Sequence, residues 1–339
     1  MAILLSQLLE QDPEHTLWIA DENSRSLLEQ GFSFGGDLLT NRWDIAQLAE
    51  HSVKRATFND FDFAALETRY RRIVFPVSKE KAITHHVINS APNVLLPEGE
   101  LFLLGRKNSG IKTYAVKAAK YLGTEKNLLK DGQDYLGSLL LPPESNLGEP
   151  LQDSGYTLLQ QPAALEGLFS KPGQFGWNKV DTGSALLARH FTDHHPNAGA
   201  SVVDLGCGYG YLSTQLATYD HFRFIATDNN AAALHACEKN FAAQDIQGEV
   251  IAGDVGSEIE SGSADFLVCN PPFHQGFQVE GDLTDRFLQQ AARILRSGGT
   301  ALFVVNEFIP VARKAQGRFA IIETLEETQG FCIYRLQKS

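Results

Sequence analysis

The chain has 339 residues, 43% of them hydrophobic and 10% aromatic, with a formal net charge of −12. That length exceeds one comfortable core and points to two domains, and the composition excludes disordered and fibrous classes. The acidic balance excludes nucleic-acid binding by bulk attraction, and four scattered cysteines without a CxxC pair signal neither a zinc site nor a disulfide framework, so no metal is expected.

The opening stretch MAILLSQLLEQDPEH has too short an apolar run to span a membrane and lacks the basic start and cleavage site of a signal peptide, so a cytoplasmic location away from membranes is expected. Further on, RRIVFPVSKEKAITHHVINSAPNVLLPEGELFLLG reads as strand, helix, Pro-Glu-Gly turn, strand. Between residues 101 and 130 seven basic residues, among them Arg106, Lys107, Lys112 and Lys117, face the single acid Glu125. On charge alone, a solvated helix face and a contact for nucleic-acid phosphates are equally good readings. Residues 146–183, rich in Pro, Gly and Gln, read as a connector.

The second half alternates strand and helix. SVVDLG, FRFIATD, GEVIAGD, ADFLVCN and TALFVV read as strands, with helical segments after the first, second and fourth. LTDRFLQQAARILRSGG reads as an amphipathic helix closed by Gly298 and Gly299. This alternation predicts a parallel sheet covered on both faces. AIIETLEETQGFCIYRLQ reads as two strands around a Gln-Gly turn, an antiparallel edge.

In such a sheet, ligands lie beyond the carboxyl ends of the strands. Asp204, Asp228, Asp254 and Asn270 fall at four successive strand ends; one alone would read as a turn residue or helix cap, but four in register point to a site. In DLGCGYG, Gly206, Gly208 and Gly210 let the chain turn tightly and a ligand approach the backbone. Position 211 is Tyr, so the third glycine comes one residue early for a dinucleotide fingerprint. Asp204 would repel a pyrophosphate and favour a cationic amino or sulfonium group, and S-adenosylmethionine carries both. Asp228 is placed for ribose hydroxyls and Asp254 for the adenine amino group, with Cys207 and Asn229 alongside; Cys207 and Cys269 otherwise read as packing residues.

In NPPFHQG, Pro271 restricts Asn270 to extended geometry and ends the strand. A planar exocyclic amine is a poor nucleophile because its lone pair is delocalised. The Asn270 amide oxygen and the Pro271 carbonyl, accepting its two N–H groups, would hold the lone pair toward a methyl donor, and Phe273 would stack on the base. For His274, a contact to the substrate edge and an exposed position without a role are both open.

DLGCGYG, the aspartates and NPPFHQG together resemble the class I S-adenosylmethionine-dependent methyltransferases that modify amino groups. The Phe-His after NPP, LLGRKNSGIK and GLFSKPGQFGWNKVDTGSALLARH are similar to the bacterial ribosomal RNA guanine-N2 methyltransferases, above all the RsmC family. The resemblance implies tandem Rossmann-like domains. Residues 1–145 would be a degenerate methyltransferase-like domain that recognises RNA or supports folding, and residues 184–339 the catalytic domain with a seven-stranded, mostly parallel sheet. It implies that Phe169, Asp181, Gly183 and Ser184 border the cofactor, and that a monomer methylates a guanine N2 amine of 16S rRNA in the assembled 30S subunit. Three alternatives stand beside it: the sister family acting on 23S rRNA, which shares NPPFH; a glutamine methyltransferase acting on release factors, a group that carries Tyr after NPP and a small helical leading domain; and a non-catalytic cofactor-binding assembly factor.

Overall fold

The structure, a computed structural model, describes residues 1–144, 146–272 and 277–339. The chain folds as two compact units, Met1–Leu158 and Leu159–Ser339. The stretch read as a connector is divided between them: residues 151–156 pack into the first unit, where Tyr156 is fully buried, and residues 159–183 belong to the second.

The first unit holds β1 (Thr16–Ala20), β2 (Phe34–Thr40), β3 (Val53–Phe58), β4 (Tyr70–Pro76), β5 (Leu95–Arg106), β6 (Asn127–Asp131) and β7 (Asp134–Leu140) in the order β3-β2-β1-β4-β5-β7-β6. Strands β1 to β5 are parallel, and β7 and β6 pair antiparallel at one edge. The second unit holds β8 (Ser201–Leu205), β9 (Arg223–Asp228), β10 (Gly248–Ala252), β11 (Ala264–Cys269), β12 (Leu295–Asn306), β13 (Ile321–Thr328) and β14 (Phe331–Gln337), ordered β10-β9-β8-β11-β12-β14-β13. Strand for strand this is the order of the first sheet, so the two units carry one sheet topology, each with an antiparallel edge, as the resemblance implies.

Alternation along the central strands explains how the second sheet is covered on both sides. Val203, Leu205, Leu267, Cys269, Ala301 and Phe303 pack with Phe287, Leu288, Ala291 and Ile294 of helix Phe277–Ile294 on one face. Val202, Phe224, Ala226, Phe266, Val268 and Leu302 pack on the other with Leu186 and Leu187 of helix Thr182–Arg189, Leu212 of helix Tyr211–Leu216 and Phe241 of helix Ala231–Ala243. Since successive residues of a strand point to opposite faces, Asp204, Asp228 and Asn270 share the second face with Val202, Ala226 and Val268. The period of two therefore gathers three polar residues on the side covered by helices 182–189 and 211–216.

The edge hairpin turns at Gln329 and Gly330, both with positive φ (50° and 80°), as a two-residue turn matching strand twist requires. One boundary departs from expectation. The helix expected to run to a Gly298-Gly299 cap stops at Ile294, and β12 begins at Leu295. Leu295 pairs with Ala264 at the foot of β11, and Gly298 (φ 77°) makes a turn inside the strand. Pairing with β11 outweighs the helical preference of the last apolar residues.

Candidate active site

Sequence explains the loop after β8 locally. Gly206, Gly208 and Gly210 have φ of 81°, 54° and 84°, left-handed values that residues with a Cβ adopt only with strain. At Gly210 a Cβ would also lie 2.8 Å from the Cys237 sulfur, whereas at Gly208 nothing lies within 4 Å. Gly210 is thus needed for packing, and Gly208 leaves open space beside the backbone where a ligand can approach.

Two carboxylates shape this loop. The Asp204 Oδ2 accepts from the Ser213 backbone N–H (3.1 Å) and hydroxyl (2.6 Å), tying β8 to the start of helix 211–216. Its other oxygen is buried without a hydrogen-bond donor. Burial, opposed by the Ser213 bonds and reinforced by Asp228, pushes the Asp204 carboxyl up to about 6. Asp228 accepts from the N–H groups of Gly208 and Asn230 (both 2.9 Å), which fixes its carboxylate at the tip of β9. Asp254 lies two residues beyond β10, and its Oδ2 pairs with Arg286 at 2.6 Å. Cys207 is buried among the loop residues, and Asn229 follows Asp228 at the same edge.

Asn270 follows β11 directly. Its Nδ2 donates to Asp181 Oδ2 and to Ser184 Oγ, both at 2.7 Å. A carboxylate only accepts, so this partner fixes which end of the amide is nitrogen. The Asn270 Oδ1 is left buried and unpaired. Asp181 also caps helix 182–189 by accepting from the Ser184 N–H at 2.9 Å. Gly183 has no Cβ to crowd this junction; one there would sit 3.0 Å from the Phe331 ring and 3.2 Å from Asp181 Oδ2. Pro271 is buried. Phe273 and His274, the expected stacking and edge residues, lie outside the described residues.

A segment before Asp181 closes on the glycine loop through contacts that sequence reasoning missed. Asn240 accepts from the Phe169 N–H (2.7 Å) and donates to the carbonyls of Phe169 (2.8 Å) and Tyr209 (2.7 Å); Asn230 donates to the Gly173 carbonyl at 2.7 Å. Asn240 did leave a signal: it is a polar residue on the face of helix 231–243 otherwise formed by Ala233, Ala236 and Cys237. Ser213 and Arg286 left none, since a Ser or Arg on a helix reads as solvated.

The residues present fit a cationic nucleoside cofactor. Positive-φ glycines expose backbone, Asp228 stands at the second strand end, and Asp204 keeps an unpaired oxygen behind the loop. Among the described residues no group of three or more His, Cys, Asp or Glu is placed to hold a metal, and no helix is long and apolar enough to cross a membrane.

The family described as "Methyltransferase small domain" matches residues 167–335. A ribosomal RNA small subunit methyltransferase C from Alcanivorax borkumensis is 31% identical over 267 residues, covering 78% of this chain and 79% of that protein. The chain belongs to the ribosomal RNA small subunit methyltransferase C family. It is a class I S-adenosylmethionine-dependent methyltransferase. The protein of the same name from Salmonella paratyphi B is 32% identical, covering 71% of this chain and 68% of that protein. Among solved structures, the T. thermophilus 16S rRNA N2 G1207 methyltransferase (RsmC) in complex with AdoMet and guanosine is similar in fold. Its TM-score is 0.81 at 22% identity, covering 100% of this chain and 91% of that one.

The basic residues of the first unit differ in availability. Arg106 and Lys107 are exposed, with Arg106 3.9 Å from Asp134. Lys112 is exposed but its ammonium sits 4.5 Å from the centre of the Tyr135 ring, and Lys117 lies half-buried, 3.3 Å from His85 Nε2. Desolvation lowers the pKa of His85, and the positive charge of Lys117 acts in the same direction.

Proposed function

We propose that the second unit transfers a methyl group to the exocyclic N2 amine of a guanine in 16S rRNA, the base corresponding to G1207, within the assembled 30S subunit in the cytoplasm, and that the chain acts as a monomer. The observation that carries this reading is Asn270, whose amide is locked with a bare, buried oxygen beside the glycine loop. A buried unpaired acceptor costs about 1–3 kcal/mol, and an amine N–H in the site would remove that cost.

The cofactor supplies an electrophilic methyl group on a sulfonium. Asp228 would hold its ribose and Asp254, through Oδ1, its adenine amino group, with Asn229 beside them; Asp181, Gly183, Gly206, Cys207 and Gly208 would border it. Asp204 sets a negative potential behind the loop and favours the cationic donor over its neutral product. Asn270 Oδ1 and the Pro271 carbonyl accept the two amine N–H groups, so the nitrogen lone pair is directed along the transfer line. Neither is a base, so the amine proton leaves to solvent once transfer has placed positive charge on the nitrogen. Phe273 would stack on a guanine flipped out of the RNA, with His274 at its edge. Arg106, Lys107, Lys112 and Lys117 would contact RNA phosphates.

The test is methylation of purified 30S and 50S subunits with labelled cofactor, followed by mapping of the modified nucleotide. Wild type is expected to label 16S rRNA at that guanine. Asn270→Ala is expected to lose about 10²–10³-fold in rate while cofactor affinity stays within about threefold. Full activity of Asn270→Ala, or labelling of 23S rRNA alone, overturns the reading.

A further inference from the structure

We infer that Asp181 and Ser184 are positioning residues for methyl transfer: they hold the Asn270 carboxamide in the one orientation that presents its oxygen to the target amine. This rests on the function proposed above and gives Asp181 a task beyond bordering the cofactor.

An unrestrained asparagine amide has two faces of nearly equal shape, one accepting and one donating. If Asn270 flipped, its NH₂ group would meet the N–H groups of an incoming amine, and donor would face donor. Two acceptors on one side of the amide prevent this. Asp181 Oδ2 and Ser184 Oγ each lie 2.7 Å from Asn270 Nδ2, one for each of its hydrogens. Turning the amide over would point its oxygen at the Asp181 carboxylate.

The acceptors are themselves held. Asp181 Oδ2 also takes the Ser184 N–H at 2.9 Å, so the carboxylate cannot rotate without uncapping helix 182–189. The missing Cβ of Gly183 leaves room for that oxygen and for the Phe331 ring. Leu186 and Leu187, buried in the core beneath the sheet, anchor the helix. The cap of one helix and the end of one strand are therefore a single rigid unit, which is what a hydrogen-bond acceptor aimed at a developing charge requires. One oxygen of Asp181 does both jobs, so an uncharged amide at position 181 can do them too. This separates geometry from charge.

The experiment compares Asp181→Ala, Asp181→Asn and Ser184→Ala in the full chain. It measures kcat and KM on 30S subunits, cofactor Kd by calorimetry, and side-chain amide exchange of Asn270 by NMR, assigned with Asn270→Ala. Asp181→Ala is expected to lower kcat by about tenfold or more and to speed Asn270 amide exchange at least about tenfold, with cofactor Kd within about threefold. Asp181→Asn is expected to restore slow exchange and most of kcat, and Ser184→Ala to fall between. The inference is overturned if Asn270 exchange is unchanged in Asp181→Ala, if cofactor affinity falls as much as kcat, or if Asp181→Asn is as impaired as Asp181→Ala. If exchange responds as expected but wild type methylates no guanine amine, the orientation of Asn270 stands and the proposed substrate falls.

Discussion

In both units the first strand feeds a tight loop and a short helix, but the two loops are made of different residues for different ends. Matching the strand ladders places Trp18 at the position of Asp204, Thr40 at that of Asp228, and Pro76 at that of Asn270. By the same count Ala20, Glu22 and Ser24 stand for Gly206, Gly208 and Gly210. Trp18 and Pro76 supply neither a carboxylate nor an amide there, and Thr40 offers a hydroxyl in place of a carboxylate. Asp60 alone keeps its carboxylate, opposite Asp254, and it accepts from the Tyr156 hydroxyl at 2.6 Å. Tyr156 is fully buried and stacks on His86, 4.5 Å between ring centres. Burial, with the Asp60 charge beside it, holds its phenol far above the ordinary tyrosine range. Counting back along the helix that runs straight into β5 or β12, His86 occupies the position of Arg286, the partner of Asp254. One fold therefore has left-handed glycines and buried, unpaired oxygens of Asp204 and Asn270 at this edge, and the other has Tyr156 of its own chain bonded to the matching carboxylate.

That contrast breaks first at Tyr156. Tyr156→Ala is expected to destabilise the first unit by about 3–5 kcal/mol, as for other large-to-small aromatic changes in a core, and Tyr156→Phe by about 1–2 kcal/mol through the lost bond to Asp60. Urea denaturation followed by hydrogen exchange at β1 and β4 amides measures both. Neither variant should gain cofactor binding, because Trp18 and Pro76 remain; a new cofactor site in Tyr156→Ala would show that the ring alone had closed it.

Asp204 sharpens the comparison from the other side. Its carboxyl is raised in the folded state to about 6 from 3.8, so the native chain binds more protons between these values and stability falls as pH rises through that window. The difference in stability between Asp204→Asn and wild type should shift toward the variant by about 2–3 kcal/mol from pH 3.5 to pH 7.5. Hydrogen exchange at β8 amides reads it, and a difference independent of pH would refute the assignment. Binding of a cation favours ionised Asp204, so wild-type cofactor affinity should weaken by up to about tenfold per pH unit below about 6, and the Asp204→Asn profile should be flat.

The smallest effect concerns RNA. Reversing Lys107 and Lys112 to Glu is expected to weaken 30S binding and reduce the slope of log affinity against log salt by about 1 per lost phosphate contact. Lys117, drawn in beside His85, should matter less than Lys107. Unchanged salt dependence would leave the first unit a support for folding.

Much of this is legible in the sequence. The alternation of β-branched runs with helical segments pointed to the second sheet, because parallel strands buried on two faces must be apolar along their length, whereas in the first unit only one strand-helix-strand run was legible and the rest followed from the family resemblance. Asp204, Asp228 and Asn270 stood out because a polar residue at the end of such a run is conspicuous. The end of helix 277–294 was misjudged because Leu-Arg-Ser-Gly-Gly suits a helix cap as well as a strand with a turn, and only pairing with Ala264 decides between them. The division of the connector was hidden too, since nothing local in Leu151 or Tyr156 shows which core receives them.

The sequence by itself determined the fold class, the glycine loop with its left-handed residues, and the strand end at Asn270. Each of these follows from backbone sterics or from the period of apolar residues, which are local properties. Only the tertiary structure decided that Asp181 and Ser184, nearly ninety residues before Asn270, meet its amide, that Arg286 pairs with Asp254, and that Tyr156 fills the first unit. These are contacts between elements distant in the chain. Hydrogen-bond partners at such separations are set by which helix covers which face of the sheet, and that is a matter of packing.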